Sequence, residues 1–380
     1  MTRLRILVLG EVLTPSGYAR VLQSLLPFLA NRFDVHVFSR GYLGPPVTGR
    51  WEVHPNLDPI DVWGIDQVPA LVARLQPDLV WVIYDAVLYL VHSRALAGCP
   101  TVLYCPIDGP DPDRDHLADL SSLARLVLFT PGSRDIVRRA MPDLPSIDVL
   151  PHGVDTDVFH PLGDRAALRR ELLGIDEGFV VLNANRNNRR KRPDLTIEGF
   201  ALFAATRPDA YLCLHMDPVH DSDLRALVRQ AGIDPRRVIL SDRELTLEEL
   251  NRLYNACDVG VNTSAGEGWG LISFEHAATG AAQVVPRHSA CAELWADAGV
   301  FLEPVESSRA PMALCENRDV TAAGLADALA RLYDDETYRR DRAQRAYGVA
   351  LDPRYRWETI ARGWDDLFTS LVGRSIAANP

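Results

Sequence analysis

Glu267 and Glu275 are separated by seven residues, and the first of them sits inside a glycine-rich turn, Gly266-Glu267-Gly268-Trp269-Gly270. Carboxylates accept hydrogen bonds from hydroxyl groups. Glycines let backbone N–H groups approach a ligand closely, and a helix N-terminus favours an anion there. Together these features suit a ligand that carries both phosphate and hydroxyls, as a sugar nucleotide does. A glutamate in the first turn of a helix also favours the macrodipole with no ligand at all. Glu275 alone is open to that reading; the full arrangement is harder to explain that way.

A second feature is independent of the first. Of the 40 lysines and arginines, Lys191 is the only lysine. It stands in Asn185-Arg186-Asn187-Asn188-Arg189-Arg190-Lys191-Arg192-Pro193, directly after the apolar run 179–182. An ammonium is a compact point charge and a guanidinium a planar fork, so a tight phosphate site can demand one and reject the other. A basic loop ahead of a helix is also an ordinary solvated face.

The elements that must hold these residues follow from periodicity. Short apolar runs alternate with amphipathic stretches throughout, which is the pattern of an α/β domain with a parallel sheet. The first series of expected strands is Arg5–Leu9, Asp34–Ser39, Leu79–Ile83, Thr101–Cys105, Leu126–Phe129 and Asp148–Leu150. Helical stretches lie between most of them: Tyr18–Ala30, Asp66–Leu75, Leu88–Ala97 and Ser133–Ala140. A second series runs through Phe179–Leu182, Ala210–Leu214, Val238–Leu240, Val259–Val261, Gln283–Val285 and Val300–Leu302. Two Rossmann-like halves therefore meet near 151–175. Ligands of open α/β sheets bind beyond the carboxyl ends of strands. Arg186, Lys191 and both glutamates follow strands of the second half, so that half is expected to hold the nucleotide.

The turn resembles the E-x7-E signature of retaining glycosyltransferases with the GT-B fold, in particular family 4. The family's form is EGFGL-x-x-x-E, and this chain has Glu267-Gly268-Trp269-Gly270-Leu271-Ile272-Ser273-Phe274-Glu275. Arg186-x4-Lys191 is similar to the family's diphosphate-binding pair, written GR-x4-KG, with Asn185 and Arg192 in place of the two glycines. Pro151-His152-Gly153-Val154-Asp155 resembles its NGVD linker block, with Gly153 read as a hinge, and Tyr355–Trp364 resembles its terminal crossing helix.

The resemblance implies two Rossmann-like domains facing across a cleft. The acceptor-side domain is expected at 1–160, completed by helix 355–380, and the nucleotide-sugar domain at 161–354. It implies sugar transfer from a nucleoside diphosphate sugar to an unidentified acceptor, with retention, no cofactor and no metal. Arg186 and Lys191 are then expected on the diphosphate, helped by the amides of Gly268, Trp269, Gly270, Leu271 and Ile272. Glu275 is expected on the ribose and Glu267 on the donor sugar. Gly17, in the loop after the first strand, is expected near donor phosphate and acceptor, and Asp108 is a candidate polar group at the reacting centre or simply a turn residue beside Gly109. A sugar-nucleotide 2-epimerase, a glycosyl phosphorylase and a non-enzymatic sugar-nucleotide sensor are the alternatives on the same scaffold. One departure from the family is an extended loop at Glu306–Asp319.

Composition bounds the remaining choices. A net charge of −11 argues against a nucleic-acid partner. No apolar run reaches the length of about 20 residues that spans a bilayer, and peripheral membrane contact is left open. The N-terminal apolar run reads as a buried strand rather than a signal peptide. The six cysteines are scattered with no C-x2-C spacing, as inert core thiols of a cytoplasmic protein are. Gly10-x6-Gly17 is not the dinucleotide fingerprint. Asp111-Pro112-Asp113 and Asp155-Thr156-Asp157 have metal-motif spacing, which is also common in turns. His215 and Asp217 are candidates for the nucleotide side, with strand-end roles the commoner explanation.

Overall fold

The computed structural model describes residues 3–144, 146–308 and 314–378. The tip of the loop expected at Glu306–Asp319 and the last two residues of the expected terminal helix lie outside the described residues. The chain divides into two compact units, and the segments Met1–Ile107, Asp111–Gly153 and Arg354–Pro380 form the first. Asp108–Pro110 and Val154–Pro353 form the second. The chain thus passes between units at Gly153 rather than at 160, and Asp108 belongs to the second unit.

The sheet of unit 1 contains β1 (Arg5–Gly10), β2 (Asp34–Ser39), β3 (Glu52–Pro55), β4 (Leu79–Ile83), β5 (Thr101–Tyr104), β6 (Arg125–Leu128) and β7 (Ile147–Val149). All pairs are parallel, in the order β3-β2-β1-β4-β5-β6-β7. Both faces of its central strands are covered, so they read as continuous apolar runs; β4, Leu-Val-Trp-Val-Ile, is buried at every position. Helix Gly17–Leu29 starts where the Ser16 side chain accepts the Ala19 N–H at 3.1 Å, a standard N-cap contact. The terminal helix Trp357–Ala378 packs on this unit through Trp364, whose ring lies 4.6 Å from Trp81 and 4.8 Å from Tyr104. Burying one such ring contributes about 2–3 kcal/mol.

The junction explains its own glycine. A Cβ on Gly153 would stand 2.7 Å from the Trp357 ring and 2.8 Å from the Tyr355 carbonyl oxygen, and its φ is outside the left-handed region. Glycine is needed there for close approach of the C-terminal segment, at the point where the chain passes between units. His152 is buried beside it, with Nδ1 2.7 Å from the Tyr104 hydroxyl.

Unit 2 contains β8 (Phe179–Asn183), β9 (Ala210–His215), β10 (Val238–Ser241), β11 (Val259–Val261), β12 (Ala282–Pro286) and β13 (Val300–Leu302). Their order is β10-β9-β8-β11-β12-β13, again parallel. The core lies between this sheet and helices Pro193–Ala204 and Ala322–Asp334, around Phe200, Phe203, Leu325 and Leu329. The expected loop at Glu306–Asp319 contains an antiparallel pair, β14 (Glu306–Ser308) and β15 (Asn317–Asp319). None of the described helices is long and apolar enough to cross a membrane. No disulfide joins the six cysteines, and five of them are buried.

Candidate functional site

The order of the second sheet reverses between β8 and β11, which pair through Val181–Val259 and Leu182–Gly260. That is a switch point, where two loops leave adjacent strands in a shared crevice. Loop 184–192 follows β8 and carries Arg186 and Lys191. Loop 262–270 follows β11 and carries Glu267. Residues far apart in sequence therefore meet for a topological reason.

They meet as an ion pair: the Lys191 ammonium contacts Glu267 Oε2, with both side chains largely buried. Asn262 Nδ2 donates to the same oxygen at 3.0 Å, and the Ser264 hydroxyl stands 3.4 Å away. Burial alone would push the Glu267 carboxyl up; the charges of Lys191 and then Arg190, with hydrogen bonds from Lys191 and Asn262, hold it down at about 2.

The backbone around this pair is fixed by buried hydroxyl and amide groups. The Thr263 hydroxyl reaches the carbonyls of Lys191 and Arg192 at 3.1 and 2.9 Å and the Thr196 hydroxyl at 2.8 Å. Asn183 Nδ2 donates to Thr196 at 2.8 Å, and Asn183 Oδ1 accepts the Asn185 N–H at 3.0 Å. Asn188 accepts the Lys191 N–H at 3.0 Å. The Ala265 N–H donates to the Arg190 carbonyl at 2.8 Å, and the Arg190 guanidinium donates to the Gly266 carbonyl. A fully satisfied buried network of this kind rigidifies what it holds.

Arg192 occupies the place of the family's second glycine and has φ +50°. A non-glycine residue in that region costs about 1 kcal/mol or more. Its guanidinium is held on both sides, by Asp194 at 2.8 Å and by Asp319 at 2.5 Å. Asp319 belongs to β15, so the two departures from the family pattern, Arg192 and the added hairpin, are physically joined. The hairpin also reaches the glycine turn directly, since the Arg318 N–H donates to the Ala265 carbonyl at 2.7 Å.

Arg186 is exposed in the same loop as Lys191, and no carboxylate among the described residues pairs with it. Gly270 has φ +92° and starts helix Leu271–Ala277, so Glu275 is the fifth residue of that helix and not in its first turn as expected. Glu275 is buried, 3% exposed, and its Oε2 accepts from the Tyr254 hydroxyl at 3.1 Å. Trp269 turns its ring inward, stacked on Phe274 at 5.0 Å. Gly268 is buried, and Leu271 and Ile272 are partly exposed. Asp108 contacts the site from the second unit: its carbonyl accepts the Glu267 N–H at 2.9 Å, and its carboxylate lies 3.5 Å from Arg190. Gly17 lies in unit 1, exposed at the start of its helix, with φ outside the left-handed region.

The weaker sequence signals resolve as local structure. Asp113 caps helix Arg114–Ala118, accepting the Asp115 and His116 N–H groups. Asp155 accepts the Asp157 and Val158 N–H groups in a turn. His215 meets Ser241 at the strand end. Asp217 accepts from Asn187 through its carbonyl at 2.9 Å and so touches the cationic loop only through backbone. Among the described residues, the group that brings three metal-type donors within 4.8 Å is His36, Glu52 and His54 on β2 and β3, away from both aspartate pairs.

Sequence reading missed Arg190, Asn262, Tyr254 and His288. His288 is 6% exposed, and burial holds its pKa down against the Ser264 backbone and the Glu267 charge. None of these four carries a spacing signal.

Comparisons with known proteins agree with this geometry. Residues 178–335 match the family model for glycosyl transferases group 1. A D-inositol 3-phosphate glycosyltransferase of Arthrobacter sp. (strain FB24) is 29% identical over 267 residues, covering 68% of this chain and 59% of that protein. One from Pseudarthrobacter chlorophenolicus is 30% identical over 267 residues, covering 68% and 60%. The chain spans about three fifths of the length of these relatives. Sucrose-phosphate synthase from Thermosynechococcus elongatus superposes with a TM-score of 0.77 at 18% identity, covering 98% of this chain and 100% of the other. An Anabaena protein solved with UDP and glucose gives 0.74 at 18% identity, covering 97% and 100%. The fold is GT-B, two Rossmann-like α/β domains with parallel sheets.

Proposed function

We propose that this chain, whose residues 178–335 match the family model for glycosyl transferases group 1, moves a sugar from a nucleoside diphosphate sugar to an acceptor hydroxyl with retention of anomeric configuration and without a bound metal. The observation that carries the reading is the meeting of Lys191 with Glu267 at the switch point of the second sheet, with Arg186 exposed beside them.

In this reading the diphosphate lies against Arg186, Lys191 and the amides of the 268–272 turn. Glu275 holds the ribose hydroxyls and Glu267 the sugar hydroxyls. As the glycosidic bond breaks, negative charge grows on the leaving diphosphate, and preorganised positive charge aimed there is the main source of rate. The ion pair with Glu267 keeps the Lys191 ammonium in place before donor arrives, so little reorganisation is needed. The acceptor oxygen attacks the face the diphosphate leaves, and its proton passes to a leaving-phosphate oxygen. No protein nucleophile is required. Buried Glu267, held ionised, matches a group that accepts hydrogen bonds from sugar hydroxyls rather than one that donates a proton.

A UDP sugar is the first donor to test, because the structurally similar Anabaena protein is solved with UDP-glucose. Incubation with a panel of nucleotide sugars separates the classes. A transferase glycosylates an added alcohol and releases nucleoside diphosphate. An epimerase alters the sugar alone, a phosphorylase requires inorganic phosphate, and a sensor binds without turnover; any of these three results would displace the proposal.

A further inference from the structure

The sheet of unit 1 has a switch point of its own. Strands β1 and β4 are neighbours, with β2 and β3 on one side and β5 to β7 on the other. The loops at their carboxyl ends carry a cluster that the donor site does not use. Arg40, just after β2, places Nε 3.0 Å from Glu11, which is buried just after β1. Its Nη1 donates to the Val62 carbonyl and its Nη2 to the Tyr84 hydroxyl, both at 3.0 Å. The same guanidinium lies 5.1 Å from the Trp63 ring centroid and 4.9 Å from that of Tyr84. Tyr84 packs on Tyr18 at 4.8 Å, and the Tyr18 hydroxyl donates to Asp85 Oδ1 at 2.9 Å. Asp85 itself is exposed.

Two properties of this cluster stand out. It is apolar at its rim: Leu13, Val62 and Ile65 are 42%, 47% and 51% exposed, and Ile60 is 88% exposed. It is also acidic. Arg40 is matched by Glu11, and the segment 57–66 adds Asp58, Asp61 and Asp66 with no lysine or arginine. A phosphate ester is recognised by cations or by open N–H groups at a helix N-terminus. The helix that opens here, Gly17–Leu29, already has its Ala19 N–H taken by Ser16.

We propose that this crevice binds the acceptor, and that the acceptor is an uncharged alcohol with an apolar body rather than a phosphate ester. Asp85, held by Tyr18, accepts a hydrogen bond from the acceptor's hydroxyl. The rings of Tyr18, Tyr84 and Trp63, with Leu13 and Val62, take its apolar part. This rests on the transferase reading and gives it a substrate class. It also separates the chain from its curated relatives, which are named for D-inositol 3-phosphate.

Calorimetric titration of the UDP-loaded protein with octyl β-D-glucoside and with D-inositol 3-phosphate tests the proposal. The glucoside is expected to bind; Asp85→Ala is expected to weaken it about tenfold, the scale of one lost hydrogen bond to a charged group, and Trp63→Ala about tenfold through lost apolar contact. UDP affinity is expected to stay within about twofold of wild type in both variants, since UDP binds the other unit; that readout also reports that the variants fold. Tighter binding of D-inositol 3-phosphate than of the glucoside would overturn the proposal. So would absence of glucoside binding, or glucoside binding unchanged in both variants. A wild-type protein that fails to bind UDP would instead overturn the donor-site reading, and the same titrations without nucleotide would then decide the crevice.

Discussion

Removing the charge of Glu267 is the perturbation whose size the structure sets most directly. Its carboxyl is held at about 2 against an ordinary 4.5, because the Lys191 and Arg190 charges outweigh the opposing effect of burial. A depression of about 2.5 units, at about 1.36 kcal/mol per unit, amounts to about 3 kcal/mol at neutral pH. Breaking a buried pair by deleting one partner costs about 3–5 kcal/mol, which is the same scale. Since the folded pKa is lowered, this stability is fully present above about pH 4.5 and is lost as pH falls toward 2. Glu267→Gln should therefore melt about 6–12 °C below wild type near pH 7, taking about 2–4 °C per kcal/mol for a unit of this size. The gap should narrow steadily once the pH drops below about 4.5, because the unfolded wild-type chain then takes up a proton that the folded carboxylate, held at about 2, does not. Differential scanning calorimetry of both proteins across that range reads it. Equal melting temperatures near neutrality, or a gap that does not change with pH, would refute the buried ion pair as the anchor of the site.

The other expectations are simpler to state. Lys191→Arg should fold and still lose turnover by about tenfold or more, since a planar fork does not fit a tight phosphate site built around a compact ammonium; steady-state rates with the preferred donor check this, and wild-type activity in the variant would remove the case for a lysine-specific site. Arg186→Ala should weaken a nucleoside diphosphate much more than the free nucleoside, because in the proposed reading its exposed guanidinium meets the diphosphate; equal losses in titrations of the two ligands would show otherwise. EDTA should leave activity largely intact, and full loss on chelation restored by Mg²⁺ or Mn²⁺ would reverse the metal-free proposal.

Much of the architecture was legible because buried parallel strands are continuous apolar runs. β4 and β8 could be read almost to the residue for that reason. β3 was not, because an edge strand of four residues with an exposed Glu52 and a half-buried His54 carries little periodic signal. The hairpin β14–β15 was legible only as a departure in length. In the site, residue type pointed to Lys191 and Glu267, since a lone lysine and a glycine-flanked glutamate are unusual locally. Their direct contact was not readable, because it depends on the register of β8 with β11. Arg190 acts on a backbone carbonyl of a different loop and Asn262 on a carboxylate of its own loop, and no spacing rule encodes either. Glu275 lies beyond the first turn of its helix because the helix opens at Leu271, directly after Gly270 at φ +92°. Asp108 was read with the first half because it follows β5, yet its hydrogen bonds join it to the second.

The central claim is that this chain transfers a sugar with retention from a nucleoside diphosphate donor. Time-resolved proton NMR of the wild-type protein with a panel of α-linked nucleotide sugars and octyl β-D-glucoside follows donor, acceptor and product together. Release of nucleoside diphosphate is expected in step with a new glycoside whose anomeric proton keeps the donor's α configuration. A β-configured product, or no diphosphate released from any donor of the panel, would contradict the account.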